Sequence, residues 1–120
     1  MARSETSPLR RTFPVPGGPP VRLRLAGPSD RAPVLGLLEA RSLLADELDA
    51  RRLLAFDPAE RHVLCALALL DGSEVLAGIG AIDFGAEAPD VIVIDERFSP
   101  GLSDVLGRVL VERSRARRAA

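Results

Sequence analysis

Apolar and polar positions alternate at the start of "PPVRLRLAG", residues 19 to 27: Val21, Leu23 and Leu25 point one way, Arg22 and Arg24 the other. Period two predicts a strand with one wet face. "GPSD" follows, where Ser29 or Asp30 can cap a helix and Pro33 fits its first turn. Val34, Leu35, Leu37 and Leu38 then share a helical face, continued by Leu43 and Leu44. A second helix is predicted over 45–56, with Leu44, Leu48 and Arg52 on one face and Leu53 and Phe56 on another; "DPAE" at 57–60 breaks it. Residues 61–70, "RHVLCALALL", are almost continuously apolar, as in a central strand covered on both faces. "DGSE" is a turn, and "VLAGIGAID", 75–83, returns as the neighbouring strand. Its Gly78 and Gly80 imply a bulge or a close neighbour. After the loop "FGAEAP", residues 90–95 form a short strand. The last helix carries a full apolar stripe of Leu102, Val105, Leu106, Val109 and Leu110. Arg113, Arg115, Arg117 and Arg118 crowd its C-terminal end, where the helix dipole favours cations. The predicted order is β-α-α-β-β-β-α, with residues 1–19 as a mobile, Pro- and Gly-rich arm and 20–120 as the domain.

Composition narrows the function. With 120 residues the chain holds one domain, and 47% hydrophobic residues can build one core. A net charge of −1 offers nothing to nucleic acid or to an anionic membrane. All basic side chains are arginine, so a Schiff base and a phosphate-gripping lysine are excluded. The single cysteine, Cys65, forbids an internal disulfide. No stretch approaches a membrane span of roughly 20 apolar residues, and the N-terminus lacks a signal-peptide core, so a cytoplasmic protein is expected. His62 and Cys65, three apart on a strand, fall on opposite faces, which rules against a shared metal or nucleophile role. Asp95 and Glu96 read as solvated carboxylates at a strand end.

The segment "DERFSPGLSDVLGRVLVERSR", 95–115, has the strand–loop–helix form in which phosphates bind at a helix N-terminus. Taken with "VRLRLAGPSDRAPVLGLLEARS" and "FDPAERHVLCALALLDGSEVLAGIGAID", it resembles the first half of the Gcn5-related N-acetyltransferase (GNAT) superfamily, most closely the bacterial protein lysine acetyltransferases, over about residues 20 to 118.

That resemblance implies an α/β (α+β) fold of the acyl-CoA N-acyltransferase type. A mixed, mostly antiparallel four-stranded sheet would be flanked by three helices. It also implies acetyl-CoA as cofactor. The pyrophosphate would be gripped around Ser99, Gly101, Leu102 and Ser103, and the pantetheine arm would lie along Val91, Val93 and Ile94. Glu87 or Asp90 would serve as general base.

The chain departs from the family pattern at Phe98, where a polar residue is usual, at Pro100, which has no N–H, and at Asp104, a carboxylate in the first helical turn. As structure, Ser99-Pro100 is a good helix start and Asp104 suits the helix dipole. Residues 20–118 correspond to the family's first half alone, and the 120 residues contain no tyrosine to serve as the family's catalytic one. The resemblance with these departures implies a catalytically impaired acetyltransferase fold that binds acyl-CoA weakly. It would act in interaction, as a homodimer through the fourth-strand edge or with a complementary chain. The alternative is an active N-acetyltransferase moving acetyl from acetyl-CoA to an amine.

Overall fold

The computed structural model describes residues 12–41, 47–98 and 101–119. In chain order these form β1 (Thr12–Val15), β2 (Gly18–Leu25), α1 (Arg31–Ala40), α2 (Glu47–Leu54), β3 (Arg61–Leu70), β4 (Ser73–Asp83), β5 (Val91–Ile94) and α3 (Gly101–Ala119). Short 3-10 turns at Pro28–Asp30 and Glu96–Phe98 lead into α1 and towards α3. The strands make one sheet in the order β1-β2-β3-β4-β5, and every neighbouring pair is antiparallel. This corrects the expected mixed sheet of four strands. The additional strand, β1, lies within the stretch read as a mobile arm; residues 1–11 of that arm lie outside the described residues.

The local chemistry explains β1. Pro16-Gly17 is a two-residue turn between paired Val15 and Gly18, and Gly17 has φ 80°, a value that favours glycine. Pro14 falls where the register shifts between Phe13 and Val15. A strand containing proline is tolerated at a sheet edge, which is where β1 sits. The β3–β4 hairpin matches its sequence signal. Asp71 (φ 53°) and Gly72 (φ 82°) form the turn, and both positive φ values are those of a type I′ hairpin.

Both readings of Gly78 and Gly80 are realised. Ala66 pairs with Gly78 but Leu67 pairs with Leu76, so Ala77 is the extra residue of a bulge. A Cβ on Gly78 would lie 2.7 Å from Ile94 Cδ1, and one on Gly80 would lie 2.8 Å from Leu110 Cδ1. The two glycines let α3 and the β5 side chains close onto β4.

Two apolar layers sandwich the sheet. Leu64, Ala66, Ala68, Ile82 and Ile94 meet Leu102, Val105, Leu106, Val109 and Leu110 of α3. On the other face Val63, Cys65, Ile79 and Ala81 meet Val34, Leu37 and Leu38 of α1 and Ala50 and Leu54 of α2. Coverage of both faces is why β3 carries an unbroken apolar run. Burying a side chain such as Leu64, at 0% exposure, contributes roughly 1.5–3 kcal/mol. Coverage ends before Leu69, which is 66% exposed. The second helix ends at Leu54, two residues before the expected end, and Ala50 and Leu54 carry its packing, with Leu53 and Phe56 in secondary contact; residues 45–46 of the expected helix lie outside the described residues.

Candidate functional site

The loop between β5 and α3 is organised by hydrogen bonds of its own. After β5, the Asp95 N–H donates to Ala77 O (2.8 Å), the carbonyl of the bulged residue. The Arg97 N–H donates to Asp95 Oδ1 (2.9 Å) and the Phe98 N–H to Asp95 O (2.9 Å). Two loop donors that could face a phosphate are therefore already used. The Arg97 side chain also turns onto Asp95 (Nη2 to Oδ2, 2.8 Å), with its guanidinium carbon 5.5 Å from the Phe98 ring centre. The hydrogen-bonded Arg97 holds the Asp95 carboxyl below its usual range, against a smaller opposing effect of burial. Asp95 is thus a loop organiser; the side chain of Glu96 is outside the described set.

Phe98, at 3% exposure, belongs to the core under α3. Gly101 and Leu102 are buried too, and Ser99 lies outside the described residues. A Cβ on Gly101 would lie 2.6 Å from Pro16 O and 2.9 Å from Pro16 Cδ. The glycine that matches the family pattern is thus required by the β1–β2 turn, which packs against the start of α3. Of the residues expected to cradle a pyrophosphate, Gly101 and Leu102 are buried and Ser103 lines the groove beside β5.

A groove does run beside β5. It measures about 780 Å³, with Ile92 and Ile94 on one side and Ser103, Gly107 and Val111 of α3 on the other. Asp104, Arg108, Glu112, Arg115 and Arg41 supply its charge. Among the described residues, no strand pairs with the outer edge of β5. Ile92 and Ile94 face α3, whereas Val91 and Val93 pack in the α1–α2 layer. Of the four strand residues, only Ile92 and Ile94 thus line the groove. Val91 and Val93, expected along the cofactor arm, face away from it. Since Asp95 N–H points at Ala77 O and β5 pairs regularly with β4, residues 91, 93 and 95 direct their backbone groups inward. Ile92 and Ile94 direct theirs outward.

Neither proposed base lines the groove. Asp90 is held by Arg61 (Nη1 to Oδ1, 3.1 Å; Nη2 to Oδ2, 3.0 Å), which also binds Asp83 at 2.8 Å. That fork ties the head of β5 to β3 and β4. Glu87 is exposed in the preceding loop.

Other polar residues act as supports. Asp30, 5% exposed, accepts from Arg24 Nη1 (2.8 Å), from Arg24 Nη2, and from the Gly27 N–H (2.8 Å). It fastens the β2–α1 corner instead of capping α1 with its side chain. The Arg113 Nε–H donates to His62 Nδ1 (2.8 Å), and the His62 ring stands edge-on to Phe84 at 4.5 Å. Burial alone lowers the pKa of Arg113. Cys65 is 0% exposed, and burial pushes its thiol up to about 12, which suits core packing and not nucleophilic chemistry.

Sequence reasoning missed the groove's charged wall. Its signal was the spacing of Asp104, Arg108 and Glu112 at i, i+4, i+8 with Gly107 between them. Among the described residues, no cluster of three metal-ligating side chains occurs, and no helix is long and apolar enough to cross a membrane. No family model matches the chain, and no curated protein or solved structure matches it.

Proposed function

We propose that this chain is a binding domain on an acetyltransferase-like fold, working through the open edge of β5 and the groove beside it rather than through acetyl transfer. The observation that carries the reading is the combination at β5. An apolar strand leaves the backbone groups of Ile92 and Ile94 without a strand partner among the described residues, at an edge that adjoins a groove of about 780 Å³. Such an edge invites strand addition, where main-chain hydrogen bonds supply affinity and the side groove supplies selectivity. The chemistry needed for transfer is not gathered there: Asp90 is engaged by Arg61, Glu87 lies in another loop, and the donors of residues 97 and 98 are consumed by Asp95.

A second reading, an acyl-CoA-dependent N-acetyltransferase, draws support from Arg41, Arg108 and Arg115 around the groove, whose positive charge suits phosphates. Calorimetric titration of acetyl-CoA separates the two. No heat at millimolar ligand is expected. Micromolar binding overturns the binding-domain reading and makes the acceptor amine the next question.

A further inference from the structure

The groove wall carries an ordered set of charges without local partners. Asp104, Arg108, Glu112 and Arg115 are all exposed and all line the groove. Among the described residues none of the four forms an ion pair, although Asp104–Arg108 and Arg108–Glu112 stand at helical i, i+4 spacing. The signs alternate along the helix: negative, positive, negative, positive. Read in the opposite direction, the order is complementary to itself.

The placement of α3 over the sheet turns that order into a register. Gly80 pairs with Ile92, and a Cβ on it would lie 2.8 Å from Leu110 Cδ1, while a Cβ on Gly107 would lie 3.5 Å from Ile92 Cδ1, so the stretch 107–110 of α3 stands at the level of Ile92. Gly78 pairs with Ile94 and approaches Leu106 in the same way, so α3 runs antiparallel to β5. If β5 pairs antiparallel with a second copy, the two sheets become continuous. The two α3 helices then lie antiparallel on the same face. Each sits over its own β4, so three strand steps of roughly 4.8 Å separate them, about 14 Å in all. An arginine and a glutamate reaching towards each other can span what remains between the helix surfaces.

Resting on the binding-domain reading, we infer that the occupant of the β5 edge is a second copy of this chain, antiparallel, with the two-fold axis passing α3 at the level of Leu110. Arg108 then meets the partner's Glu112, and Asp104 meets the partner's Arg115. An axis one strand residue further along, at the level of Arg108, would set Arg108 against the partner's Arg108 and Asp104 against the partner's Glu112, which is repulsive. The charge order therefore chooses between two registers that the strand alone would allow. The two-fold also repeats each ion pair, so any single charge reversal strikes twice.

The experiment is a charge swap read by sedimentation equilibrium from micromolar to millimolar protein. The wild type is expected to dimerise. Arg108→Glu and Glu112→Arg should each weaken the dimer by about tenfold, and the double variant should recover to within about threefold of wild type. At concentrations where every form is monomeric, unfolding midpoints should stay close to wild type, because among the described residues none of these side chains forms an ion pair within one copy. A strictly monomeric wild type, or a double variant no better than either single one, overturns the inference. Amide hydrogen exchange at Ile92 and Ile94 tells that failure from failure of the underlying reading. Protection that rises on assembly while the swap has no effect keeps the β5 edge and discards this register. Assembly that leaves both amides unprotected discards the edge as well.

Discussion

Gly101→Ala tests whether the glycine before α3 serves the fold or a ligand. The added methyl would sit 2.6 Å from Pro16 O, 2.9 Å from Pro16 Cδ and 3.1 Å from Pro16 N. These are backbone and ring atoms, so no flexible side chain can swing aside, and reaching an ordinary contact of 3.4 Å from 2.6 Å requires the β1–β2 turn to move. Overpacking of this kind costs roughly 1–3 kcal/mol. Alanine recovers part of this through helix propensity, at most about 1 kcal/mol and less at a first helical residue. The net expectation is a loss of about 1–2 kcal/mol. Gly107→Ala provides the internal contrast: its Cβ would meet only Ile92 Cδ1, at 3.5 Å, an ordinary contact. In mid-helix it should gain about 0.5–1 kcal/mol. Urea unfolding followed by far-ultraviolet circular dichroism suits a chain without tryptophan or tyrosine. The Gly101 variant should lose roughly 0.5–1 M in midpoint at an unchanged slope. A Gly101→Ala midpoint at or above that of the wild type refutes the contact with Pro16 and reopens the loop as a phosphate site.

Two further outcomes follow from buried groups. The hydrogen-bonded Arg24 holds the Asp30 carboxyl below its usual range, opposed by burial and helped by the Gly27 N–H. A lowered folded value stabilises above the unfolded pKa, near 4, and the contribution is lost as pH falls through the folded value. Asp30→Asn should therefore cost about 1–2 kcal/mol at neutral pH, with the gap to wild type closing below about pH 4. A gap of constant size down to about pH 2 would contradict the pairing with Arg24. Cys65, fully buried with its thiol pushed up to about 12, should resist iodoacetamide in the native protein and react once urea unfolds it. Rapid native labelling would show that the α1–α2 layer opens readily.

Elements governed by near neighbours were legible from sequence. The apolar run 61–70, the Asp71-Gly72 turn and the α3 stripe each carry their own signal, and the structure reproduces them. The first strand was hidden because Pro14, Pro16, Pro19 and Pro20 with Gly17 and Gly18 resemble coil by composition, whereas Pro16-Gly17 is a turn signal at the local scale. The site was the least legible part. Whether Gly101 serves a phosphate or Pro16 depends on a contact 85 residues away along the chain. The fate of Asp90 depends on Arg61, 29 residues earlier, and that of His62 on Arg113, 51 residues later. A motif read along the chain cannot separate a residue that faces a ligand from one that faces a distant segment of the same fold.

The sheet order repeats the chain order, so each strand hydrogen-bonds only to strands adjacent in sequence. This has a kinetic meaning. Three of the four strand pairings close short connections, and the β3–β4 hairpin, nucleated at Asp71-Gly72, can zip on its own. Only β2–β3 must close a long loop, residues 26–60, which holds α1 and α2. The folding barrier is therefore expected to fall at that closure, with the hairpin formed before it. Substitutions at Val75 or Leu76 should slow refolding, and substitutions at Val21 or Leu23 should chiefly speed unfolding. The β5 edge, which docks early beside the hairpin, is then exposed while the rest of the molecule is still assembling.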